Sequence, residues 1–523
     1  MDFDSALEIA GSFGPAQLML VIFAGFMSAY NGWHAYIVVF VGLDIDFSCA
    51  DGPGVSKYPF QNNSALDKCD ESCQKLIFED DTGSIYKDYV LVCNNQQILA
   101  TVSTSAYWSA FLISTLTCGS ISEKFGRKWP SAILVFLQFF STLATTFAPD
   151  IYSYIAMRFV SGFCSISSYL VMLILTENVS KQYVPKLEIT NQLMFVIGQI
   201  ACVLSAFVFE ESWRKQFLTL ALPLIPFMFF QVFLLPESAR WLESVGRINE
   251  AEYNLKWIAK YNGNPTKAIN LTKPDSESSL LLREEHESSK QKDDSFNQKY
   301  QKETGTSLKM SVLDLFRTLH SCVLTAVNML AWFACSMVYF GLIFNVKKIH
   351  GNLYLNSLLL SLVDVPSWFV SKSINRWGRK TVFYIALFVA SAFCAGVPFI
   401  GGSVQIVFAM AGKCLATACY SILFVHCPEQ FPSSMRNAGM SLCSAASKIA
   451  LILTPFVLKM NLGGPFSGDT TPFEIFSFAG CFAGVTVCLF GVETKDKPTV
   501  ETIEDYEHLA SPRRKTLDEH DSL

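Results

Sequence analysis

A short basic turn occurs twice in this chain, each time between two long apolar segments. The first copy reads SEKFGRK at positions 122–128, and the second reads INRWGRK at positions 374–380, 252 positions further on. Each copy combines a glycine with three Lys or Arg residues, and its flanking segments are too apolar to be stable in water. This combination is typical of a tight link between two membrane-spanning helices, on the side that retains positive charge. Its recurrence indicates that the chain consists of two copies of one half.

The composition supports a membrane protein. Charged residues make up 16% of the 523 residues, whereas soluble domains carry about a quarter. Hydrophobic residues make up 51% and occur in blocks, which excludes a series of soluble domains and favours a chain that crosses the membrane many times. The first 16 residues contain no Lys or Arg, so we expect no cleavable signal peptide and a retained first helix.

The apolar segments predict an all-α membrane protein with twelve transmembrane helices in two six-helix pseudo-repeats. Most segments are near the ~20 residues that cross a hydrocarbon core of ~30 Å. The predicted spans are 16–41, 98–120, 130–148, 151–175, 190–209, 217–235, 318–344, 352–373, 381–400, 404–427, 438–459 and 472–492. The corresponding domains are an N-terminal half (1–235) with a loop (42–97), a segment between the halves (236–317), a C-terminal half (318–492) and a tail (493–523).

The distribution of Lys and Arg predicts the orientation. Basic residues occur in both turns and 13 times in 236–317, whereas the links 149–150 and 401–403 contain none. Positive charge stays on the cytoplasmic side, so we expect both termini and the segment 236–317 in the cytoplasm. The stretch 265–310 is polar and poor in aromatic residues, which predicts a flexible segment.

The loop 42–97 is then extracellular. It contains Cys49, Cys69, Cys73 and Cys93, which predicts two disulfides with three possible pairings; a zinc site around Cys69 and Cys73 is the competing interpretation. Asn62 begins a glycosylation sequon in the same loop. The remaining twelve cysteines lie in apolar spans and are predicted core residues.

Several motifs resemble one family of transporters. The stretch 119–128 is similar to the loop signature of the major facilitator superfamily, with Glu123 where Asp is usual. The second copy departs further, with Ser371 for the glycine and Asn375 for the acid. A narrower resemblance, to the organic cation/anion/carnitine transporters of that superfamily, is carried by PESARWL at 236–242, YLN at 354–356, DVP at 364–366 and EQFPSSMRNAGM at 429–440.

The resemblance implies a transporter rather than an enzyme, in which the two halves expose a central site to each side of the membrane in turn. It implies no covalent chemistry, no cofactor, no metal and no nucleic acid. The expected partners are a small organic ion, the lipid bilayer and a coupling ion of unknown identity. Together with the sequon and the cysteine-bearing loop, it implies residence in the plasma membrane.

A set of charged residues is predicted at the cytoplasmic ends of the helices. The resemblance favours a gating role, in which ion pairs hold this face shut while the site opens outward; the alternative is that the basic residues only keep the turns inside. The predicted latch residues are Glu123, Arg127, Arg158, Glu177, Arg376, Arg379, Glu429 and Arg436.

Four ionisable residues lie inside apolar spans, where an unpaired charge is unfavourable: Arg158, Asp364, Lys413 and Lys448. Arg158 is close to the start of span four, and Lys413 lies about half-way along span ten and follows Gly412, as in the family that the chain resembles. Asp364 shares a helical face with Ser357, Ser361 and Trp368, a polar stripe that predicts a water-filled cavity; a packing stripe tied to a neighbouring helix is the alternative. Lys448 lies in span eleven, and Asp364 is one possible partner for it.

By the resemblance, the position of Lys448, six before Thr454-Pro455, is acidic in carriers of organic cations and basic in carriers of organic anions or carnitine. Trp332 and Tyr339 match aromatic positions of the cation-carrier pocket, and Tyr30, Asn31 and His34 are further cavity candidates. The predicted substrate-binding residues are Lys448, Asp364, Trp332, Tyr339, Trp368, Tyr30 and Asn31.

A pocket with one negative and one positive pole favours a zwitterion such as carnitine, or an organic anion. An organic cation recognised by Asp364 and aromatic rings is the alternative, with Lys448 neutralised by Asp364. A scaffold or receptor that no longer transports is a third possibility, left open by the departures from the family pattern at Ser371, Asn375 and Ala239, the last of which stands where Pro is usual. His34 and His426 are the residues that could couple transport to protons.

Overall fold

A computed structural model describes residues 3–43, 47–51, 54–58, 76–78, 83–91, 94–266, 269–271, 315–367, 374–432, 435–460, 471–495, 497, 500 and 505–506. Within this part of the chain, helices dominate. The first half and the following segment contain α1 (Phe3–Gly11), α2 (Pro15–Tyr36), α3 (Val38–Val41), α4 (Ile85–Asp88), α5 (Asn94–Phe125), α6 (Lys128–Thr146), α7 (Ile151–Cys164), α8 (Ser167–Glu177), α9 (Val184–Val208), α10 (Trp213–Ala221), α11 (Leu224–Leu234), α12 (Ala239–Ser244) and α13 (Ile248–Tyr261). The second half contains α14 (Leu319–Phe344), α15 (Leu353–Leu362), α16 (Ile374–Trp377), α17 (Arg379–Gly396), α18 (Ser403–Gln430), α19 (Arg436–Lys459) and α20 (Thr471–Phe490).

Each predicted span corresponds to a helix or to two consecutive helices. Among the described residues, nine helical segments are long and apolar enough to cross a membrane. A tenth span is obtained when α1 is counted together with α2 and α3, to which it is joined by a sharp bend. The two remaining spans are α5, which is long but rich in Ser and Thr, and α15, which is apolar but short. The structure ends α15 just before Asp364, because Pro366 cannot continue a helical hydrogen-bond ladder. Asp364 therefore lies in a turn and not in the middle of a regular helix.

The helices pack in the same pattern in both halves. In the first half, α2 packs on α9 and α6 packs on α10; in the second half, the equivalent pairs are α14 with α19 and α17 with α20. Across the halves, α5 packs on α19, and α9 packs on α15, as a two-fold relation between repeats requires.

Glycines allow the closest crossing in the first half. A Cβ at Gly198 of α9 would overlap the carbonyl of Ala29, and a Cβ at Gly32 of α2 would overlap the carbonyl of Phe195. Small residues let two membrane helices approach until their backbones touch, so α2 and α9 are held in a fixed register.

Both basic turns have one geometry. Gly126 and Gly378 adopt φ of 90° and 94°, in the left-handed region that favours glycine. A Cβ on Gly126 would overlap the carboxylate of Glu237, and a Cβ on Gly378 would overlap that of Glu493. We call the end of the bundle that carries these turns the turn end, and the opposite end, which carries 42–97, the loop end.

Two smaller units lie outside the helix bundle. At the loop end, β1 (Phe47–Asp51), β2 (Gly54–Tyr58) and β3 (Leu76–Phe78) form an antiparallel sheet in the order β2-β1-β3, which the sequence did not predict. Cys49 lies in β1, whereas Cys69, Cys73, Cys93 and Asn62 fall outside the described residues, so the disulfide and glycosylation predictions remain predictions.

At the turn end, α1 packs against α13 of the segment between the halves. The Asn262 side chain donates hydrogen bonds to the Ala10 carbonyl and to Gln17, both at 3.0 Å, and accepts one from the backbone N–H of Ala16. These contacts stabilise the bend of 101° between α1 and the first span. The N-terminal residues are therefore part of a folded unit with the beginning of 236–317.

Candidate functional site

A buried ion pair lies at the heart of the second half. Lys413 of α18 donates to Asp364 with an Nζ–Oδ2 distance of 2.9 Å, and both side chains are almost fully buried. Lys413 Nζ also donates to the Leu360 carbonyl at 2.6 Å. Asp364 accepts two further hydrogen bonds, from Tyr339 at 2.9 Å and from Thr417 at 2.6 Å. Both carboxylate oxygens are satisfied, so Asp364 is held by its neighbours and does not face an open cavity.

The suggested contact between Asp364 and Lys448 does not form, because Lys413 occupies the carboxylate. Both lysines lie within helical spans, and sequence spacing alone cannot choose between them. The sequence signals for Lys413 were its position half-way along span ten and the preceding Gly412.

Lys448 instead lies at the interface between the halves. Its Nζ is 4.6 Å from the ring centroid of Phe111, which belongs to α5 of the first half. One turn further along α19, Ser105 of α5 donates to the Ile452 carbonyl at 2.9 Å. In the described part of the chain, no carboxylate pairs with Lys448. Among the described residues, the group that the structure places against this positive charge is an aromatic face.

The predicted aromatic residues of α14 lie in a connected cluster. Tyr339 contacts Asp364 and accepts a hydrogen bond from Gln199 of α9 at 3.0 Å, so it connects the two halves. Trp332 packs edge-on against Tyr420 and Phe424 of α18. Tyr420 also packs against Tyr339, so this ring lies between the two predicted residues. The buried Trp332 Nε1 finds no acceptor among the described residues.

The first-half candidates lie inside the N-terminal bundle. Tyr30 is hydrogen-bonded to Thr142 at 3.0 Å, and Asn31 donates to Ser168 at 2.6 Å. Trp368, the last predicted binding residue, falls outside the described residues.

Arg158 is not at the turn end, and its assignment to the latch is wrong. Span four begins at the loop end, and Arg158 is only two turns from that beginning, because the preceding link is 149–150. Its guanidinium is 3.0 Å from His34 Nδ1 and 4.6 Å from the centroid of the Tyr107 ring, and the residue is 2% exposed. No carboxylate of the described residues pairs with it. A guanidinium can only donate, so His34 Nδ1 accepts and the imidazole is neutral.

At the turn end, the other predicted latch residues form one ion pair in each half. Arg127 binds Glu177 at 2.9 Å, and Arg379 binds Glu429 at 2.6 Å. Both pairs lie within a single half and do not join the halves. Arg436 donates to the Pro428 carbonyl at 2.9 Å. The side chains of Glu123 and Arg376 are exposed, and neither forms an ion pair with another described residue.

Two glutamates that follow the last helix of each half complete the turns. Glu237 accepts hydrogen bonds from the backbone N–H groups of Arg127 and Lys128, and Glu493 accepts them from those of Arg379 and Lys380, at 2.8–3.1 Å. Each carboxylate therefore caps the N-terminus of the helix that begins at the turn: Glu237 caps α6, and Glu493 caps α17. Sequence analysis did not predict this role. The signal that could have revealed it is the recurrence of Pro236-Glu237-Ser238 as Val492-Glu493-Thr494, 256 positions further on.

The two capping carboxylates differ in acidity. Burial raises the pKa of Glu237 above its ordinary value, despite the hydrogen bonds that it accepts. Burial acts in the same direction on Glu493, but the backbone N–H donors of Lys495, Arg379 and Lys380 and the nearby His426 outweigh it and lower the pKa.

Contacts between the halves occur along the interface, from the loop end towards the turn end. The Tyr36 hydroxyl of α2 donates to the Ser357 carbonyl of α15 at 3.3 Å, and Phe40 stacks on Tyr354 at 5.7 Å. Towards the turn end, Ser421 donates to Gln192 at 3.0 Å.

Two six-helix repeats and an interface lined by ionisable and aromatic side chains define a membrane transporter with the major facilitator fold. The chain belongs to the sugar (and other) transporter family, whose sequence pattern matches residues 19–506. Members of this family are transporters and not enzymes.

Similar proteins confirm the resemblance to organic-ion carriers. The chain is 29% identical over 528 residues to "Solute carrier family 22 member 15-like" of Xenopus tropicalis, which covers 99% of this chain and 98% of that protein. It is 29% identical over 473 residues to "Solute carrier family 22 member 2" of Homo sapiens, covering 90% and 79%. It is 27% identical over 542 residues to "Organic anion transporter 3" of Oryctolagus cuniculus, covering 97% and 94%.

A solved structure confirms the fold. The xylose transporter XylE from E. coli, in an inward-open conformation, superposes with a TM-score of 0.64 over 94% of this chain and 99% of that one, at 15% identity. The predicted fold class is therefore correct.

Proposed function

We propose that this transporter carries small organic ions with a carboxylate, either organic anions or zwitterions such as carnitine, by alternating access. The observation that carries the proposal is the difference between Asp364 and Lys448. Asp364 is fully occupied by Lys413, Tyr339 and Thr417, whereas Lys448 lies at the interface of the halves with no described carboxylate. The available pole of the pocket is therefore positive.

The charges inside the bundle favour an anion. Arg158 and Lys448 have no carboxylate partner among the described residues, and the charge of Lys413 is cancelled by Asp364. A carboxylate that reaches Lys448 gains Coulomb energy that water does not screen fully in a partly buried site. Phe111, beneath the ammonium, provides apolar surface for the organic part of the substrate.

An organic cation remains the second candidate, because aromatic rings surround the acid. Tyr339 contacts Asp364, Tyr420 packs on Tyr339, and Trp332 packs on Tyr420. A cation would have to displace Lys413 from Asp364 before it could use this cluster, so the alternative requires a second event that the anion does not.

We also propose an orientation of the chain in the membrane and a movement of its two halves. We place the turn end, both termini and 236–317 in the cytoplasm and the loop 42–97 outside, in the plasma membrane. The halves at 1–235 and 318–492 rock about the interface, and Arg127–Glu177 and Arg379–Glu429 stiffen the turn end of each half. The relatives named as organic-ion carriers and the basic turns support this arrangement.

Uptake into cells that express the chain tests the substrate class. The labelled solutes are an aromatic carboxylate, carnitine and tetraethylammonium, each with wild type and Lys448→Gln. We expect uptake of the carboxylate, of carnitine or of both, and a loss of about thirtyfold in apparent affinity in Lys448→Gln, as for a charge pair worth ~2 kcal/mol. Lys459→Gln is the matched control, since this lysine lies at the exposed end of the same helix.

If only tetraethylammonium enters, and Lys448→Gln transports it as well as wild type, the proposal is wrong and the aromatic cluster is the recognition site. If no solute enters although the chain reaches the cell surface, the scaffold interpretation gains support.

A further inference from the structure

Two clefts open at the turn end, one in each half, where a basic turn meets the segment after the last helix. The N-half cleft encloses about 390 Å³ and is lined by Lys128, Glu237, Arg247 and Glu250 among others. The C-half cleft encloses about 450 Å³ and is lined by Arg376, Lys380, Glu493 and Lys495 among others. Glu237 and Glu493 occupy equivalent places in the two repeats, so the clefts are equivalent as well.

The charges of the N-half cleft are balanced. Arg247 forms two hydrogen bonds to Glu250, at 2.7 and 2.6 Å, and Glu237 accepts two from the backbone N–H of Lys128, at 3.1 Å. Among the described lining residues, two basic and two acidic side chains share the space, so these charges give no net preference for an anion.

The C-half cleft has an excess of positive charge. Arg376, Lys380 and Lys495 line it, with Glu493 as the acid. Lys495 Nζ donates to the Arg376 carbonyl at 3.0 Å, which places its ammonium over the turn. Among the described lining residues, three basic side chains and one carboxylate form a site that attracts anions.

The C-half cleft also opens onto apolar surface. Trp377, at its rim, is 66% exposed. Cys488 of α20 lines the cleft and is exposed, and Leu489 and Phe490, which follow it at the end of the helix, are 67% and 56% exposed. A tryptophan at the boundary of a membrane helix marks the level of lipid headgroups. The cleft therefore joins a basic floor to the surface that faces the acyl chains.

We propose that the C-half cleft binds an anionic phospholipid, with the headgroup phosphate at Arg376, Lys380 and Lys495 and the acyl chains along the end of α20. The apolar exit favours a lipid over a soluble phosphate, because a soluble anion makes no use of exposed Leu489 and Phe490. The turn end is the basic end of the molecule, and anionic lipid is concentrated in the leaflet that such an end faces. The site is separate from Lys448 and does not depend on the substrate.

Lipid binding to the purified full-length chain tests the proposal. Short-chain dioctanoyl phosphatidylserine and dioctanoyl phosphatidylcholine are titrated in detergent, and binding is measured by native mass spectrometry and by the rise in Tm with lipid concentration. We expect phosphatidylserine to bind more tightly, and more weakly as salt is raised. Arg376→Gln with Lys495→Gln should weaken its binding roughly thirtyfold.

Lys128→Gln with Arg247→Gln removes the two basic side chains that line the N-half cleft. This double variant is the matched control and should leave phosphatidylserine affinity within a few-fold of wild type. Three results would overturn the proposal: equal binding of both lipids, equal loss in the two double variants, or binding of glycerophosphoserine as tight as that of the lipid. The last result would identify a site for soluble anions. The salt dependence of the wild type tests the charge argument even if a variant fails to fold.

Discussion

Each half of this transporter buries a basic residue in its fourth span, but the two residues have different partners. Lys413 is paired with a carboxylate, Asp364, whereas Arg158 contacts a neutral imidazole, His34. The turns, in contrast, share one framework, with a left-handed glycine, an Arg–Glu pair and a capping glutamate in both halves. The repeat therefore preserves the framework at the turn end, while the chemistry of the interior differs between the halves.

The largest effect should follow from removing the acid of the C-half pair. Asp364→Asn leaves the Lys413 ammonium buried without a counter-charge, which destabilises the folded state by about 3–5 kcal/mol. We expect a large drop in Tm in detergent and a low yield of monodisperse protein. The double variant Asp364→Asn with Lys413→Met should recover most of the loss, because an apolar pair needs no compensation. A double variant as unstable as the single one would contradict the ion-pair argument.

A smaller effect is expected for the buried base of the N-terminal half. Arg158→Met removes a charged hydrogen bond worth about 1.5–3 kcal/mol but leaves only neutral His34 behind. Lys413→Met leaves the Asp364 carboxylate uncompensated and should lower Tm further. Comparing the Tm of these two variants tests the asymmetry directly, and equal losses would mean that Arg158 has a charged partner after all.

The turns should respond alike in both halves. Gly126→Ala and Gly378→Ala each force a side chain into a left-handed conformation, which costs about 1–2 kcal/mol, and drive the new Cβ against the capping glutamate. Gly246→Ala is the control, since its φ is 78° but the space around it is open. We expect both turn variants to lose more Tm than the control. Unequal losses at the two turns would show that the framework is not shared.

The smallest effect concerns pH, because the capping glutamates are partly exposed and therefore screened. Glu493 has a lowered pKa, so its contribution to stability is present above the ordinary value of about 4.3 and is lost as pH falls through the lowered pKa. Glu237 has a raised pKa, so its contribution to stability is present below the ordinary pKa of glutamate and is lost as pH rises through the raised pKa. The Tm curves of Glu493→Gln and Glu237→Gln, measured from acid to neutral pH, should therefore depart from wild type with opposite slopes.

Sequence analysis predicted the framework more completely than the interior. Glycine, basic residues and a fixed offset identify the turns, because these features act locally. The partner of Asp364 depends on which helices are neighbours, and Lys413 and Lys448 are equivalent candidates until α18 and α19 are placed. The assignment of Arg158 to the latch failed for a simpler reason, since the direction of span four places its beginning at the loop end.

The crossing of α2 and α9 has a consequence for how the halves sense each other. Gly32 and Gly198 bring the two backbones into contact, so we expect these helices to move as one rigid body. Gln199, the residue after Gly198, donates a hydrogen bond to the Tyr339 hydroxyl, and this hydroxyl donates one to Asp364. When the N-terminal half moves relative to the C-terminal half, either Tyr339 moves with Gln199 or the hydrogen bond between them breaks. We therefore expect the hydrogen bond from Tyr339 to Asp364, inside the second half, to depend on the position of the first half.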